Sequence, residues 1–314
     1  MENMALRLGA SLYVPATRPD LAEIGNGQKL SEARSIIFCT EDAVLAEDLP
    51  RAMSNLSFTF PQLTPRANTR PLRFVRPRNV QVLEQIQNMP GVFNVDGFVL
   101  PKVTAANARD YFALLDGAPF TSMVTVETRE AFSTREMEAL RDVILETGAN
   151  VLSIRVGGND LLNLLGMRRT RGVTAYETPL RNVIDQMVSI FRPFGINVSA
   201  PVYDFTQDAV TLAREVREDL LHGTFGKTAI HPAQIAVIEA AYQVTLEEVE
   251  AAERILAPGA KAVFRVGDMM CEPATHRNWA RAILERSRVY GHVPAGVDRG
   301  LTEPHVTLES ARAG

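Results

Sequence analysis

The chain has 314 residues, 46% hydrophobic and 22% charged, which suffices for one large domain or two medium ones with a filled core. A formal net charge of -4 with acids and bases interspersed leaves no electrostatic footprint for nucleic acid, and no apolar run approaches the roughly 18 to 20 residues that cross a membrane. The charge balance favours a small-molecule substrate, and two cysteines, Cys39 and Cys271, without a CxxC pattern, indicate neither a disulfide framework nor a zinc knuckle and suit a reducing cytoplasm.

The amino-terminal MENMALRLGASLYVPA is interrupted by Arg7 and Pro15 and reads as a poor signal peptide. From there, short β-like runs alternate with helical patterns. The runs are Ala10–Val14, Ser35–Cys39, Leu72–Arg76, Gly97–Leu100, Thr121–Val126, Val151–Val156, Ile196–Ala200 and Phe225–Ile230. Between the fifth and sixth, Ser133 and Glu136 have capping-box spacing, Met137, Leu140, Val143 and Ile144 form one stripe, and Gly148 stops the helix. Leu180–Phe194 behaves alike. The first helix, broken by Gly25 and Gly27, and the stretch from Pro61 to Pro71 are weakly signalled.

Eight β/α units by about residue 240 predict an α/β fold, a (β/α)8 TIM barrel over residues 1–240. A C-terminal helical extension follows over 241–291. The preceding helix is expected around Pro232–Tyr242, and the extension should hold helices around Leu246–Leu256 and Ala274–Tyr290 with a hairpin-like AKAVFRVGDMM between them. Residues 292–314, rich in Gly, Pro and Thr, read as a loose tail.

In such a barrel, chemistry sits at the carboxyl ends of the strands. Those ends carry Glu41 and Asp42, Arg76, Lys102, Glu127, the run Gly157-Gly158-Asn159-Asp160, Asp204 and His231. Period-two alternation in TSMVTVE turns Thr125 and Glu127 toward the barrel axis. Two carboxylates from adjacent strands, Glu127 and Asp160, repel one another in a dry pocket, a conflict that a divalent cation removes; otherwise Asp160 caps its helix and Glu127 is a solvated loop acid. Gly157 and Gly158 let the backbone approach a ligand closely.

The stretches SLYVPATRPD (Ser11–Asp20), TEDAV (Thr40–Val44), FVR (Phe74–Arg76), GFVLPKV (Gly97–Val103), VET (Val126–Thr128), GGNDLLNLLG (Gly157–Gly166) and GKTAIHPAQI (Gly226–Ile235) lie in order across residues 11–235 and carry a resemblance that extends to about residue 290. In these the chain resembles the citrate lyase beta-subunit-like, HpcH/HpaI aldolase family. Its divergence is similar to the carbon–carbon bond lyase subgroup encoded with tellurite-resistance operons. The resemblance implies a magnesium-dependent lyase acting on a small oxo- or hydroxy-carboxylate or its CoA thioester, in trimers or multiples of trimers. It implies that Glu127 and Asp160 hold the metal and that Arg76 clamps the substrate carboxylate. Glu41 and Asp42 would order water around the ion, and Gly158, Asn159 and Lys102 would contact substrate.

Departures qualify that picture. The family's Asp-Leu-Glu-Asp reads Cys39-Thr40-Glu41-Asp42 here, and an acid near the C-terminus reads Cys271, so both cysteines stand where the family has acids. Each is an inert thiol or a weak replacement acid. A lysine and a glycine of the pattern are Leu49 and Ala16. The rival reading is a barrel with a switched substrate or without turnover, binding a metal–carboxylate metabolite as a sensor or complex subunit. Among the remaining candidates, Lys102 contacts an anion or pairs with Glu127 or Asp42. Asp204 serves the site or caps a helix near Thr206. His231 shapes a turn, His276 replaces the lost acid or lies on the surface, and Trp279 packs the extension.

Overall fold

A computed structural model describes residues 4–65 and 71–294. The eight expected strands are β1 (Ala10–Pro15), β2 (Ser35–Cys39), β3 (Leu72–Arg76), β4 (Gly97–Leu100), β5 (Thr121–Val126), β6 (Val151–Val156), β7 (Asn197–Ser199) and β8 (Lys227–Ala229). They run parallel in one sheet, ordered β7-β6-β5-β4-β3-β2-β1-β8. A single bridge, Ala200 to Lys227, joins its two ends, helped by Ala200 N–H to Gly226 O and Phe225 N–H to Val198 O, each 2.8 Å. The seventh and eighth strands are shorter than their apolar runs predict, and the barrel seam falls between them.

The helices after the strands are α1 (Leu21–Gly25), α2 (Leu49–Thr59), α3 (Val80–Gln87), α4 (Ala108–Leu115), α5 (Thr134–Thr147), α6 (Gly158–Leu164) with α7 (Leu180–Phe191), α8 (Ala209–Leu221) and α9 (Ala233–Ala241). Local chemistry sets α5: Ser133 Oγ accepts from Glu136 N–H, and Gly148 takes the left-handed conformation, φ +64°, that ends the helix. The weakly signalled first helix is one short turn and a half, and residues 66–70 of the Pro61–Pro71 stretch lie outside the described residues.

Alternation divides the barrel interior into two levels. Ile37, Phe74, Val99 and Met123, one per strand from β2 to β5, form a buried apolar cluster with Leu8 and Leu72. Two residues further along each of three of these strands come Cys39, Arg76 and Thr125, so the polar level stands above a dry plug.

The described residues separate into two compact units, divided between Glu239 and Ala240. In the second, α10 (Leu246–Leu256) begins at a capping box of Thr245 and Glu248, and α11 (Pro273–Tyr290) packs with it. Two short strand pairs accompany them, the antiparallel β10 (Phe264–Val266) and β11 (Met269–Cys271), and the parallel β9 (Val244–Thr245) and β12 (His292–Val293). The expected loose tail therefore starts with a strand; residues 295–314 lie outside the described residues. Cys271 belongs to the apolar core of this unit, with Val244, Ile255, Val266 and Ile283, whereas Trp279 stays 37% exposed.

Candidate active site at the carboxyl ends of the strands

A cavity of about 300 Å³ opens where the strands end, walled by residues of β1, β2, β3, β5, β6 and β8 and of the loops that follow. A cavity of about 400 Å³ lies at the opposite ends of β5 and β6, beside Phe120, Ser122 and Asn150. Its charged walls are Arg109 and Asp116, and Arg109 already pairs with Glu146, so no group of titratable side chains converges there.

Arg76, buried at the end of β3, organises the first cavity. Its Nε donates to Glu41 Oε2 at 2.9 Å, and its Nη2 reaches Asp42 Oδ2 at 3.1 Å and Glu127 Oε1 at 3.0 Å. Its Nη1 donates to Tyr13 Oη at 3.3 Å. Burial pushes the guanidinium down, but Tyr13, Glu127 and Glu41 more than offset this and hold it charged. The predicted carboxylate clamp is thus engaged by three carboxylates of the protein itself.

Glu127, 3% exposed, also accepts the Lys102 backbone N–H at 2.9 Å. Lys102 sits at φ +50°, a conformation that disfavours a side chain. Three contacts hold it there: that N–H bond, Asn107 Nδ2 to its carbonyl at 3.0 Å, and its own Nζ to Glu41 Oε1 at 2.8 Å. Of the two predicted partners, Lys102 Nζ reaches only Asp42, at 4.0 Å, while its main bond is to Glu41. Behind Glu127, a Cβ on Gly157 would stand 2.2 Å from Glu127 Cβ and 2.6 Å from its Oε2, so only glycine lets β6 pass this carboxylate.

Burial raises the pKa of Glu127 most, Arg76 opposes it, and Asp160 and Glu41 add repulsion. Burial pushes Glu41 up as well, yet its hydrogen bond with Asp42, the Arg76 charge and Lys102 prevail and hold it at about 2. Asp42 is raised to about 7 by desolvation, then by Glu41 and Asp160, against Arg76. Its side chain is nevertheless 60% exposed, so the neighbouring carboxylates are the firmer cause. A proton entering this pair therefore settles on the outer Asp42.

Asp160, in the first turn of α6, faces the same cavity as Glu127 and Asp42, and among the described residues no hydrogen bond or ion pair reaches its carboxylate. The first N–H groups of α6, from Gly158 and Asn159, have no intrahelical acceptor. Three hard oxygen donors thus crowd one opening. Among the described residues no three Asp, Glu, His or Cys side chains form a ready-made metal cage. Magnesium does not need one, since one or two carboxylates with water and substrate oxygens complete its octahedron. The donor set of Glu127 and Asp160 fits that ion.

The remaining candidates separate cleanly. Cys39 lines the cavity wall with its thiol pushed up by burial, a poor acid at neutral pH. Cys271 is a core residue of the second unit. Asp204 caps no helix: α8 is capped by Asp208, which accepts from Thr211 N–H, and Asp204 Oδ1 instead accepts from Asn159 Nδ2 at 2.9 Å. His231 Nδ1 accepts from Ala233 N–H and closes its own turn, and His276 Nδ1 accepts from Glu272 N–H. Tyr13, Arg155 and Thr228 also line the cavity and were not singled out from the sequence. A charged residue inside the strand VLSIRV, on the inward parity, was the available signal for Arg155.

A family model described as C-C_Bond_Lyase of the TIM-Barrel fold matches residues 2–292. The chain belongs to this carbon–carbon bond lyase family. It is 26% identical to the L-malyl-CoA/beta-methylmalyl-CoA lyase of Rhodobacter capsulatus, over 80% of this chain and 84% of that protein. It is 25% identical to the (3S)-malyl-CoA thioesterase of Cereibacter sphaeroides, over 82% and 85% respectively. Among solved structures it is similar to CitE of Mycobacterium tuberculosis. The complex with magnesium, acetoacetate and coenzyme A superposes with a TM-score of 0.66 at 24% identity, over 90% of this chain and 99% of the other. The complex with oxaloacetate and magnesium gives 0.55 at 25% identity, over 76% and 99%. No described helix is long and apolar enough to cross a membrane.

Proposed function

We propose that the chain is a magnesium-dependent carbon–carbon bond lyase that cleaves a small oxo- or hydroxy-carboxylate, or its CoA thioester, in a retro-aldol or retro-Claisen sense. The observation that carries this reading is the unpartnered Asp160 carboxylate beside the buried Glu127 at one cavity. Glu127 and Asp160 would hold the ion. When bound, it supplies a Lewis acid for the negative charge that grows on the substrate oxygen as the carbon–carbon bond breaks. Around it, Arg76 and the Lys102 N–H fix the Glu127 carboxylate. The free N–H groups of Gly158 and Asn159 orient the substrate acid. Asp42, raised to about 7, carries a proton on its carboxyl that comes on and off near neutrality.

The relatives' names and the magnesium and oxaloacetate bound to CitE support the substrate class. Cys271 in an apolar core favours a second reading, a barrel with a switched substrate that has dispensed with that acid or with turnover. We further propose a cytoplasmic protein, consistent with two free thiols, that assembles as a homotrimer or a multiple of one through the region after residue 240. Light scattering on a sizing column tests the assembly.

Calorimetric titration of pyruvate and oxaloacetate, with and without magnesium, tests the site. Binding is expected only with the metal and is lost in Glu127→Gln and Asp160→Asn; equal heats in all four cases remove the metal from the account. Release of free CoA or acetyl-CoA from malyl-, citramalyl- and citryl-type thioesters then separates thioester cleavage from the switched-substrate reading.

A further inference from the structure

Arg155 is a buried cation that the reading above leaves without a task. It lies on β6 at the inward parity, in register with Thr125 of β5 and Ser199 of β7. It is 2% exposed. Its Nη2 donates across the barrel to Thr228 Oγ1, its Nη1 contacts Met123 Sδ at 3.5 Å, and its guanidinium carbon stands 5.7 Å from the centre of the Tyr13 ring. Among the described residues no carboxylate pairs with it, whereas Arg76, Arg169 and Lys227 each hold one. Burying an arginine without an acid is costly, and desolvation pushes its pKa below the ordinary value.

Arg155 lines the same cavity as Glu127 and Asp160. Next to it in the sheet, Thr125 Oγ1 is buried with no hydrogen-bond partner among the described residues. The cavity is thus electrostatically lopsided. Its rim has a carboxylate in want of a cation, and its floor, one inward-facing layer or about 7 Å deeper, has a cation in want of an anion. A divalent cation answers the rim and an anion the floor, and a short dicarboxylate can present one acid group to that cation and its second to the floor. A carboxylate suits this floor because its two oxygens match the planar guanidinium fork, with a hydroxyl at the side.

We propose that Arg155, assisted by Thr228 and Thr125, anchors the second carboxylate of a dicarboxylic substrate at the cavity floor and selects dicarboxylates over monocarboxylates. This rests on the lyase reading, whose metal ligands lie at the rim. Oxaloacetate and pyruvate, which differ by one carboxylate, are the probes, titrated calorimetrically in saturating magnesium. Wild-type protein is expected to bind oxaloacetate at least about tenfold more tightly. Arg155→Gln is expected to lose that preference by weakening oxaloacetate while pyruvate stays within about twofold. Arg155→Lys, which keeps the charge, should retain part of it.

Equal affinities in the wild type, or an equal loss for both ligands in Arg155→Gln, overturn the proposal. So does tighter binding of phosphonopyruvate than of oxaloacetate, which would assign the floor to a phosphorus oxyanion. If Arg155→Gln does not fold, the wild-type ratio and Arg155→Lys still decide. Failure of the wild type to bind either probe sinks the lyase reading as well, while binding without preference sinks this inference alone.

Discussion

Two buried charge clusters in the barrel unit are built alike and end differently. At the mouth, Arg76 gathers Glu41, Asp42 and Glu127. In the wall, Lys227 Nζ on β8 meets Glu215 Oε1 and Asp219 Oδ2 of α8, both at 2.8 Å, and Arg169 and the Tyr176 hydroxyl complete the group. The wall cluster is sealed: Lys227, Glu215 and Asp219 are essentially fully buried, and each acid has its cation. The mouth cluster borders a cavity that also holds an acid, Asp160, with no partner among the described residues. Similar side chains therefore close on one another in the wall and leave a charge facing the cavity at the mouth.

The largest effect should come from the sealed cluster. Lys227→Met leaves the buried Asp219 without a cation and Glu215 with Arg169 alone, and is expected to cost about 3–5 kcal/mol of stability in urea unfolding; a cost near zero would mean that the wall resembles the mouth. Next, Asp160→Asn is expected to lower magnesium affinity at least about tenfold while unfolding stability stays within about 0.5 kcal/mol of wild type. A large stability loss would show that Asp160 is structurally paired after all.

A smaller contrast is readable in pH. Since only ionised carboxylates attract a cation and Asp42 is raised to about 7, magnesium affinity should climb severalfold between about pH 6 and pH 8, and Asp42→Asn should flatten the climb. The smallest effect belongs to an exposed pair. The hydrogen bond from Arg18 holds Asp20 at about 2, despite some burial, with Lys29 adding to it. A carboxyl lowered on folding stabilises above its unfolded pKa and loses that contribution as pH falls toward 2. Asp20→Asn should therefore cost at most about 0.5 kcal/mol at neutral pH and nothing in strong acid, as thermal melts at both pH values would show.

Much of this was legible in the chain itself. Seven of the eight strands match their apolar runs to within one residue at both ends, because alternation and the turn residues that bound a strand are local properties. Glu41, Asp42, Arg76, Glu127 and Asp160 were placed at one rim by strand order alone, and the structure puts all five beside one another. Of the two roles open to Asp204, sequence could not discard the cap because Asp208, four residues on, competes for it, and only the position of Thr211 N–H decides between them.

What sequence could not supply was the set of partners across the barrel. Arg76 draws its carboxylates from β2 and β5, Arg155 finds Thr228 across 73 residues of chain, and Asn159 meets Asp204 from the next strand's loop. The primary structure determined which side chains are polar, which point inward and at which end of a strand they stand. Closure of the sheet decided which charges cancel and which are left over, because a side chain's neighbours in a barrel are set by register between strands, and electrostatic balance depends on those distances.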